Sequence, residues 1–132
     1  MGGRGAFSYL YGKTGGIPVE KREYSCIGYL ERIKIIQCDT KINNPTTTYS
    51  NTMNTTYYSF SKENNHIERI LYFRNHKLYK SVDFKNNEIP HVHYWHSTQV
   101  GRKRHDHHNT YELSDRDKRL MNAALAYNKK IN

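Results

Sequence analysis

The fold is decided by residues 67–84, which read IERILYFRNHKLYKSVDF. Two segments rich in β-branched and aromatic residues flank Asn75-His76, and asparagine is a favoured residue in tight hairpin turns. The pattern predicts a β-hairpin with strands at residues 67–74 and 77–84. A short β-prone run at residues 56–60 precedes the hairpin and is expected to form another strand.

The N-terminal half of the chain is less regular. Ile33 and Ile35 alternate with Arg32, Lys34 and Ile36, which predicts a half-buried strand within residues 24–38, although residues 24–31 also fit a helical turn. Residues 43–56 are a polar run around Pro45 and are predicted to be a loop. Six of the eight glycines fall within residues 1–16. This segment is therefore predicted to be a flexible Gly-rich arm ahead of a single α+β domain at residues 17–132.

The C-terminal third contains a strand, a loop and a helix by the same reasoning. Residues 91–95 alternate as a strand does, whereas residues 101–109 have no apolar period and are predicted to be a loop. Ser114 is a suitable helix N-cap, because acidic residues follow it and apolar residues recur beyond them at helical spacing. Those apolar residues are Leu120, Met121, Ala124, Leu125 and Tyr127. Strands followed by one helix indicate an α+β fold, with a small antiparallel sheet and a C-terminal amphipathic helix.

The charge of the chain limits its classes of partner. Lys and Arg total 21 against 12 Asp and Glu, a net charge of +9. This excess favours polyanionic partners, nucleic acid or a protein that binds it, although it could also serve solubility alone. No stretch has the roughly 20 apolar residues that a membrane span needs. A cytosolic protein with no membrane partner is therefore expected.

The histidines indicate a metal site, since six of the eight fall between His91 and His108. Imidazole is a common neutral zinc ligand, and on a strand His91 and His93 would leave the same face roughly 6–7 Å apart. The remaining ligands would come from His105, His107 and His108 in the following segment, and from Asp83, Cys26 or Cys38. The sequence thus predicts Zn²⁺, with a solvated histidine-rich surface as the alternative.

The same residues also fit a reaction without metal. Paired histidines can act as the base and the acid of RNA cleavage, with His91 or His93 and His107 or His108 transferring protons. In that interpretation Arg102, Lys103 or Arg104 would stabilise the charge on phosphorus. The three basic residues otherwise form a solvated loop or a surface that binds phosphate or an acidic partner.

The chain resembles short proteins of phages and prophages of Gram-positive bacteria. The resemblance rests on the start MGGRG and on the block from residue 67 to residue 113, with Val82-Asp83-Phe84 and then Pro90-His91-Val92-His93 and aromatic residues. It implies that Asp83, His91 and His93 form the core of the site. The chain departs from the pattern at residues 104–108, which are richer in histidine.

A phage origin implies anti-defence activity in the cytoplasm of the bacterial host. The chain resembles a candidate anti-CRISPR protein that inhibits a type II effector nuclease by blocking nucleic-acid loading or cleavage. A basic domain cannot mimic DNA, so it would bind a protein surface or compete for an acidic patch. Zinc would then be structural and the protein would not be an enzyme. A small histidine-dependent nuclease and a virion assembly factor are the alternatives.

Overall fold

The computed structural model describes residues 6–11, 18–38, 48–85, 89–97, 103–105 and 113–132. These residues form strands followed by a C-terminal helix. The elements are β1 (Ala6–Tyr11), β2 (Pro18–Leu30), β3 (Ile33–Cys38), β4 (Thr48–Ser50), β5 (Thr55–Ser61), β6 (His66–Arg74), β7 (Lys77–Asp83), β8 (His91–Ser97), β9 (Lys103–His105) and α1 (Asp115–Ile131).

The strands form a sheet in the order β4-β1-β2-β3-β5-β6-β7-β8-β9, whose centre is the six neighbours β2, β3 and β5–β8. Neighbouring strands are antiparallel except β3 and β5, which are parallel. The β4 strand also pairs with β7, where Tyr49 lies opposite Lys77. The Ser50 N–H donates to the His76 carbonyl at 2.9 Å and reinforces this contact. The predicted α+β class is confirmed, and the sheet is mostly antiparallel.

Two hairpins are closed by pairs of residues with positive φ, the backbone geometry of tight turns that match strand twist. Asn75 and His76 have φ of 51° and 66°, which confirms the predicted hairpin. Glu31 and Arg32 have φ of 54° and 64° and join β2 to β3. The alternative of a helical turn at residues 24–31 is therefore wrong, because residues 24–30 belong to β2. Neither Glu nor Arg is a typical residue at such a turn, so local sequence did not indicate it.

The sheet buries apolar side chains on both faces, because successive residues of a strand point to opposite sides. Tyr57 and Leu71 belong to one cluster, and their neighbours Tyr58 and Ile70 belong to the other. The first cluster also contains Tyr24, Ile36, Phe73 and Leu78. The second contains Ile35, Ile67, Tyr72, Val82, Phe84 and Val92, and it includes Leu120 and Ala124 of α1. The helix therefore covers one face of the sheet, the helix face.

The helix begins where the sequence predicts. Ser114 is the N-cap, and its side chain and that of Asp117 each bond the other's backbone N–H, which completes a capping box. At the far end, Asn128 accepts a hydrogen bond from the Ile67 N–H at 2.8 Å and donates one to the Ile67 carbonyl at 3.0 Å. The Asn128 amide thus satisfies the backbone N–H and carbonyl of Ile67, as a neighbouring strand would, and it anchors α1 to the start of β6.

Asp117 anchors the other end of the helix. Its carboxylate accepts a hydrogen bond from the Tyr72 hydroxyl at 2.5 Å and one from the Lys80 ammonium at 2.9 Å. Burial raises the pKa of Asp117, but the hydrogen bonds from Tyr72, Lys80 and Ser114 lower it more, and the net pKa is below its ordinary value. The helix therefore docks on β6 and β7 through an ionised carboxylate.

Three predicted irregular segments contain strands. Ala6–Tyr11 form β1 within the predicted flexible arm, because this stretch holds aromatic residues at alternate positions and no glycine. Thr48–Ser50 form β4 within the loop predicted at residues 43–56, and Lys103–His105 form β9 within that predicted at residues 101–109. Both are three residues long, too short for a hydrophobic period to show. The β4 strand pairs with β1 and β7, which are distant in the chain, whereas β9 pairs with the preceding strand β8.

Candidate metal centre

The candidate site lies where β7 and β8 pair. Asp83 is directly opposite His91, and His93 is opposite Ser81. Their neighbours Val82 and Val92 face the second cluster under α1, so the three polar side chains project from the other face of the sheet. Trp95 follows on this face, and its Nε1 donates to the Ser81 hydroxyl at 3.0 Å. Strand pairing therefore brings together the aspartate and both histidines that the sequence indicates.

The three side chains converge on one point. The Nε2 atom of His93 lies 3.2 Å from Asp83 Oδ2, and that of His91 lies 3.8 Å from the same oxygen. The imidazole rings meet edge to face with centroids 4.5 Å apart. One ligand atom from each residue lies within 4.8 Å of the others, so the group could hold a metal ion. The side chains are partly buried, and His91 is the most exposed at 28%.

A backbone contact orients His91. Its Nδ1 lies 2.9 Å from the carbonyl oxygen of Ile89. A carbonyl can only accept, so Nδ1 carries the hydrogen and, in the neutral ring, Nε2 presents its lone pair toward Asp83. Metal-bound histidines in proteins typically donate their second ring N–H in this way. The residues just before β8 therefore prepare His91 as an Nε2 ligand.

Arg69 is a member of the site that the sequence did not single out. It pairs with Asp83 across the β6–β7 ladder, and its Nε lies 3.1 Å from Asp83 Oδ1. The two carboxylate oxygens are thus divided, with Oδ1 facing the guanidinium and Oδ2 facing the imidazoles. In the sequence, Arg69 looks like any exposed arginine of a strand. Its pairing with Asp83 becomes visible only from the register between β6 and β7.

The electrostatics keep Asp83 ionised. Burial raises the pKa of this carboxyl, but the hydrogen bond from His93 and the positive charge of Arg69 lower it more, with smaller effects from the charges of His93 and His91. The net pKa lies below the ordinary value of 3.8. The carboxylate is therefore in the deprotonated form that metal binding requires, whereas Nε2 of His93, which donates to it, would have to lose that hydrogen to bind an ion.

The lowered pKa predicts how the metal-free protein responds to acid. A carboxyl whose pKa is lower in the folded state than in the unfolded state stabilises the fold at pH values above the unfolded pKa, here 3.8. This stabilisation is lost as the pH falls through the folded pKa. Asp83→Asn should therefore lower the free energy of unfolding at neutral pH, and the difference from the parent should shrink below pH 3.8. Urea unfolding across this range, with chelator present, measures it. A difference that does not vary with pH would contradict the assignment.

The remaining predicted site residues are placed in part. In the β8–β9 ladder His105 lies opposite Trp95, Arg104 opposite His96 and Lys103 opposite Ser97. Arg102, His107 and His108 lie outside the described residues. The roles predicted for these six residues in metal or partner binding stay predictions.

Cys26, which the sequence offered as a ligand, does not join Asp83, His91 and His93 in the group found among the described side chains. Cys26 is an exposed free thiol whose Sγ lies 3.5 Å from the carbonyl oxygen of Gly28, two residues away. Between the ligands left open by the sequence, the structure thus selects Asp83 over Cys26. A role for Cys38 stays a prediction.

Comparisons with known proteins add no family to this picture. Searches against protein-family models, curated proteins and solved structures find no match to the chain. Among the described residues, no helix combines the length and apolar character needed to cross a membrane. The resemblance to phage proteins, the type II CRISPR effector as partner and the host cytoplasm as location therefore stay predictions. The assignment of the site rests on its geometry.

Proposed function

We propose that the protein binds one zinc ion through Asp83, His91 and His93 and that this ion stabilises the fold. The observation that carries the proposal is the convergence of the three ligand atoms, all within 4.8 Å of one another. Zinc bonds to nitrogen and oxygen ligands are about 2.0–2.2 Å long. We expect the three side chains to adjust so that their ligand atoms reach these distances from one ion.

The donor set favours zinc over the abundant hard cations. Magnesium and calcium are bound mainly by oxygen ligands, whereas two imidazoles and one carboxylate suit zinc and other late first-row metals. The different surroundings of the two Asp83 oxygens also favour a metal ligand at this residue. Oδ1 forms an ion pair with Arg69 at 3.1 Å, and Oδ2 faces the histidines. Such outer contacts fix the orientation of a ligand before the metal binds.

The geometry of His91 and His93 favours a shared ion over proton transfer by these two rings to one substrate. An acid and a base that cleave a phosphodiester must reach two different oxygens of the substrate. Here both Nε2 atoms face the same carboxylate oxygen, at 3.2 and 3.8 Å, and the rings are in contact. Such convergence suits a single ion. It leaves no room for a phosphate group between the rings. A nuclease pair formed by one of them with His107 or His108, which lie outside the described residues, stays a prediction.

Zinc at this position would stabilise the end of the sheet. Asp83 is the last residue of β7 and His91 the first of β8, so the ion would link the two strands where their ladder begins. Three protein ligands leave a fourth tetrahedral position for water or another side chain. If only the folded chain binds the metal, the free energy of metal binding adds to the stability of the fold. This is the structural role that a basic anti-defence protein with no reaction to catalyse would need.

Metal analysis and melting temperature test the site directly. Protein purified without a tag should carry about one zinc per chain by plasma mass spectrometry, and chelator should lower its melting temperature. His91→Ala, His93→Ala and Asp83→Asn should each lose zinc and the chelator effect. His66→Ala is the matched control, because His66 lies outside the converging group and its loss should leave both readings unchanged.

The outcomes separate the alternatives. Zinc retained by the His91→Ala, His93→Ala double variant would show that other residues bind it. A folded parent that takes up no zinc would contradict the proposal and leave Arg69, Asp83 and His93 as a charge network. RNA cleavage that survives chelator and disappears in both histidine variants would support the nuclease alternative. Inhibition of a type II effector is a separate prediction, carried by the resemblance and by the net charge of +9.

A further inference from the structure

A second group of charged and aromatic residues lies on the helix face, near the N-terminus of α1. The guanidinium carbon of Arg74 is 4.2 Å from the centre of the Tyr79 ring, and that of Arg116 is 5.6 Å from the centre of the Tyr72 ring. The two rings are neighbours with centroids 6.5 Å apart. Lys80 lies 4.9 Å above the Tyr72 ring. We call this group, Arg74, Tyr79, Tyr72, Lys80 and Arg116, the arginine–tyrosine patch.

A bulge in the β6–β7 ladder creates the patch. Tyr72 is opposite Lys80 and Phe73 opposite Leu78, so Tyr79 is the extra residue between them. The bulge lets Tyr79 join Lys80 on the helix face, where Tyr79 packs against the second cluster. Asp83 and Ser81 point to the opposite face. The patch and the metal centre are therefore separate surfaces.

The charges of the patch are not equally available. The Lys80 ammonium is bound to the buried Asp117 carboxylate at 2.9 Å. Arg74 and Arg116 are exposed, and within the described part of the chain neither makes an ion pair with a carboxylate. The two guanidinium groups are thus held beside aromatic rings, with their donors available to a ligand. Arginine stacked in this way keeps its planar N–H edge free to bind phosphate.

We propose that the arginine–tyrosine patch binds single-stranded nucleic acid. Single strands expose both phosphates and the flat faces of bases, and proteins bind them with basic groups interleaved with aromatic rings. The Arg74 guanidinium over Tyr79 offers a planar cation on which a base can stack, and Arg116 supplies a second cation for the backbone. An acidic peptide would use the charges but not the planar surfaces. The net charge of +9 draws any such strand toward the protein.

Fluorescence anisotropy with a labelled oligouridylate RNA tests the patch. The Arg74→Ala, Arg116→Ala double variant should bind roughly tenfold more weakly than the parent, and the slope of log K against log salt should fall by about 1.4 in magnitude, for two lost contacts to a single strand. The control is Lys129→Ala, Lys130→Ala, which removes the same charge from the exposed last turn of α1. This control should bind within about twofold of the parent.

A charge-preserving pair isolates stacking from charge. Arg74→Lys, Arg116→Lys should keep the salt slope of the parent and still lose affinity, because the ammonium group has no planar face. Circular dichroism melting confirms that each variant is folded. All titrations are repeated with chelator, so that loss of the metal cannot be mistaken for loss of the patch.

Four results would overturn the proposal. The control pair could weaken binding as much as the patch variant, which would indicate general electrostatic attraction. Duplex RNA could bind as tightly as the single strand, or polyglutamate of equal charge could compete as well as unlabelled RNA. The parent could also fail to bind oligouridylate at low salt.

Discussion

Asp117→Ala is expected to lower the free energy of unfolding by about 3–5 kcal/mol, as the loss of one partner of a buried ion pair typically does. The Asp117 side chain is only 1% exposed, and its carboxylate is the shared acceptor for Tyr72 and Lys80. Without it, a buried hydroxyl and a largely buried ammonium lose their partner. The Ser114 N-cap also loses half of its capping box. For a domain with a typical stability of roughly 5–15 kcal/mol, this approaches unfolding.

Two further variants separate charge, geometry and surface position. Asp117→Asn preserves the shape and one acceptor oxygen but removes the charge that pairs with Lys80, so it should fall between Asp117→Ala and the parent. Asp115→Ala removes an exposed acid of the same first turn and should cost less than about 1 kcal/mol. Urea unfolding followed by circular dichroism measures all three. Equal losses for Asp117→Ala and Asp115→Ala would show that Asp117 acts only on the helix dipole.

The sequence predicts the helix itself but not the way it docks. Ser114 followed by acidic residues is a local signal, since cap and first turn lie within four residues of each other. The sequence places Asp117 among the acidic residues of the first turn, which suit the helix dipole. Its buried contacts with Tyr72 and Lys80 join positions 45 and 37 residues apart. Contacts of this kind depend on tertiary packing, which no local pattern encodes.

In the candidate metal centre, too, the sequence predicts the contacts between residues close in the chain and misses those that depend on strand pairing. His91 and His93 are separated by the strand period, so the sequence alone places them on one face. Spacing left the fourth ligand open among Asp83, Cys26 and Cys38, because choosing between them requires the pairing of β7 with β8. That register places Asp83 opposite His91. Arg69 was missed for the same reason, since its contact with Asp83 depends on the register between β6 and β7.

Leu120→Ala is expected to cost about 2–5 kcal/mol, the range for large-to-small changes in a packed core. Leu120 is 1% exposed and belongs to the second cluster with residues from β3, β5, β6, β7 and β8. Its carbonyl accepts a hydrogen bond from the buried Tyr58 hydroxyl at 2.8 Å, which fixes the helix over β5. The surrounding strands are joined by ladders and cannot close around the lost side chain. A cavity should therefore remain.

Leu125→Ala is the matched control for this change, because it deletes the same atoms from the same helix at a side chain that is 43% exposed. It should cost less than about 1 kcal/mol, since exposed positions make few contacts to lose. If the two variants unfold in urea with the same m-value, the difference between their midpoints gives the difference in their free energies of unfolding. A Leu120 variant as stable as the Leu125 variant would mean that α1 does not pack on the sheet in solution. The docking of Asp117 and Asn128 would then be wrong as well, because all three residues lie along one stripe of the helix.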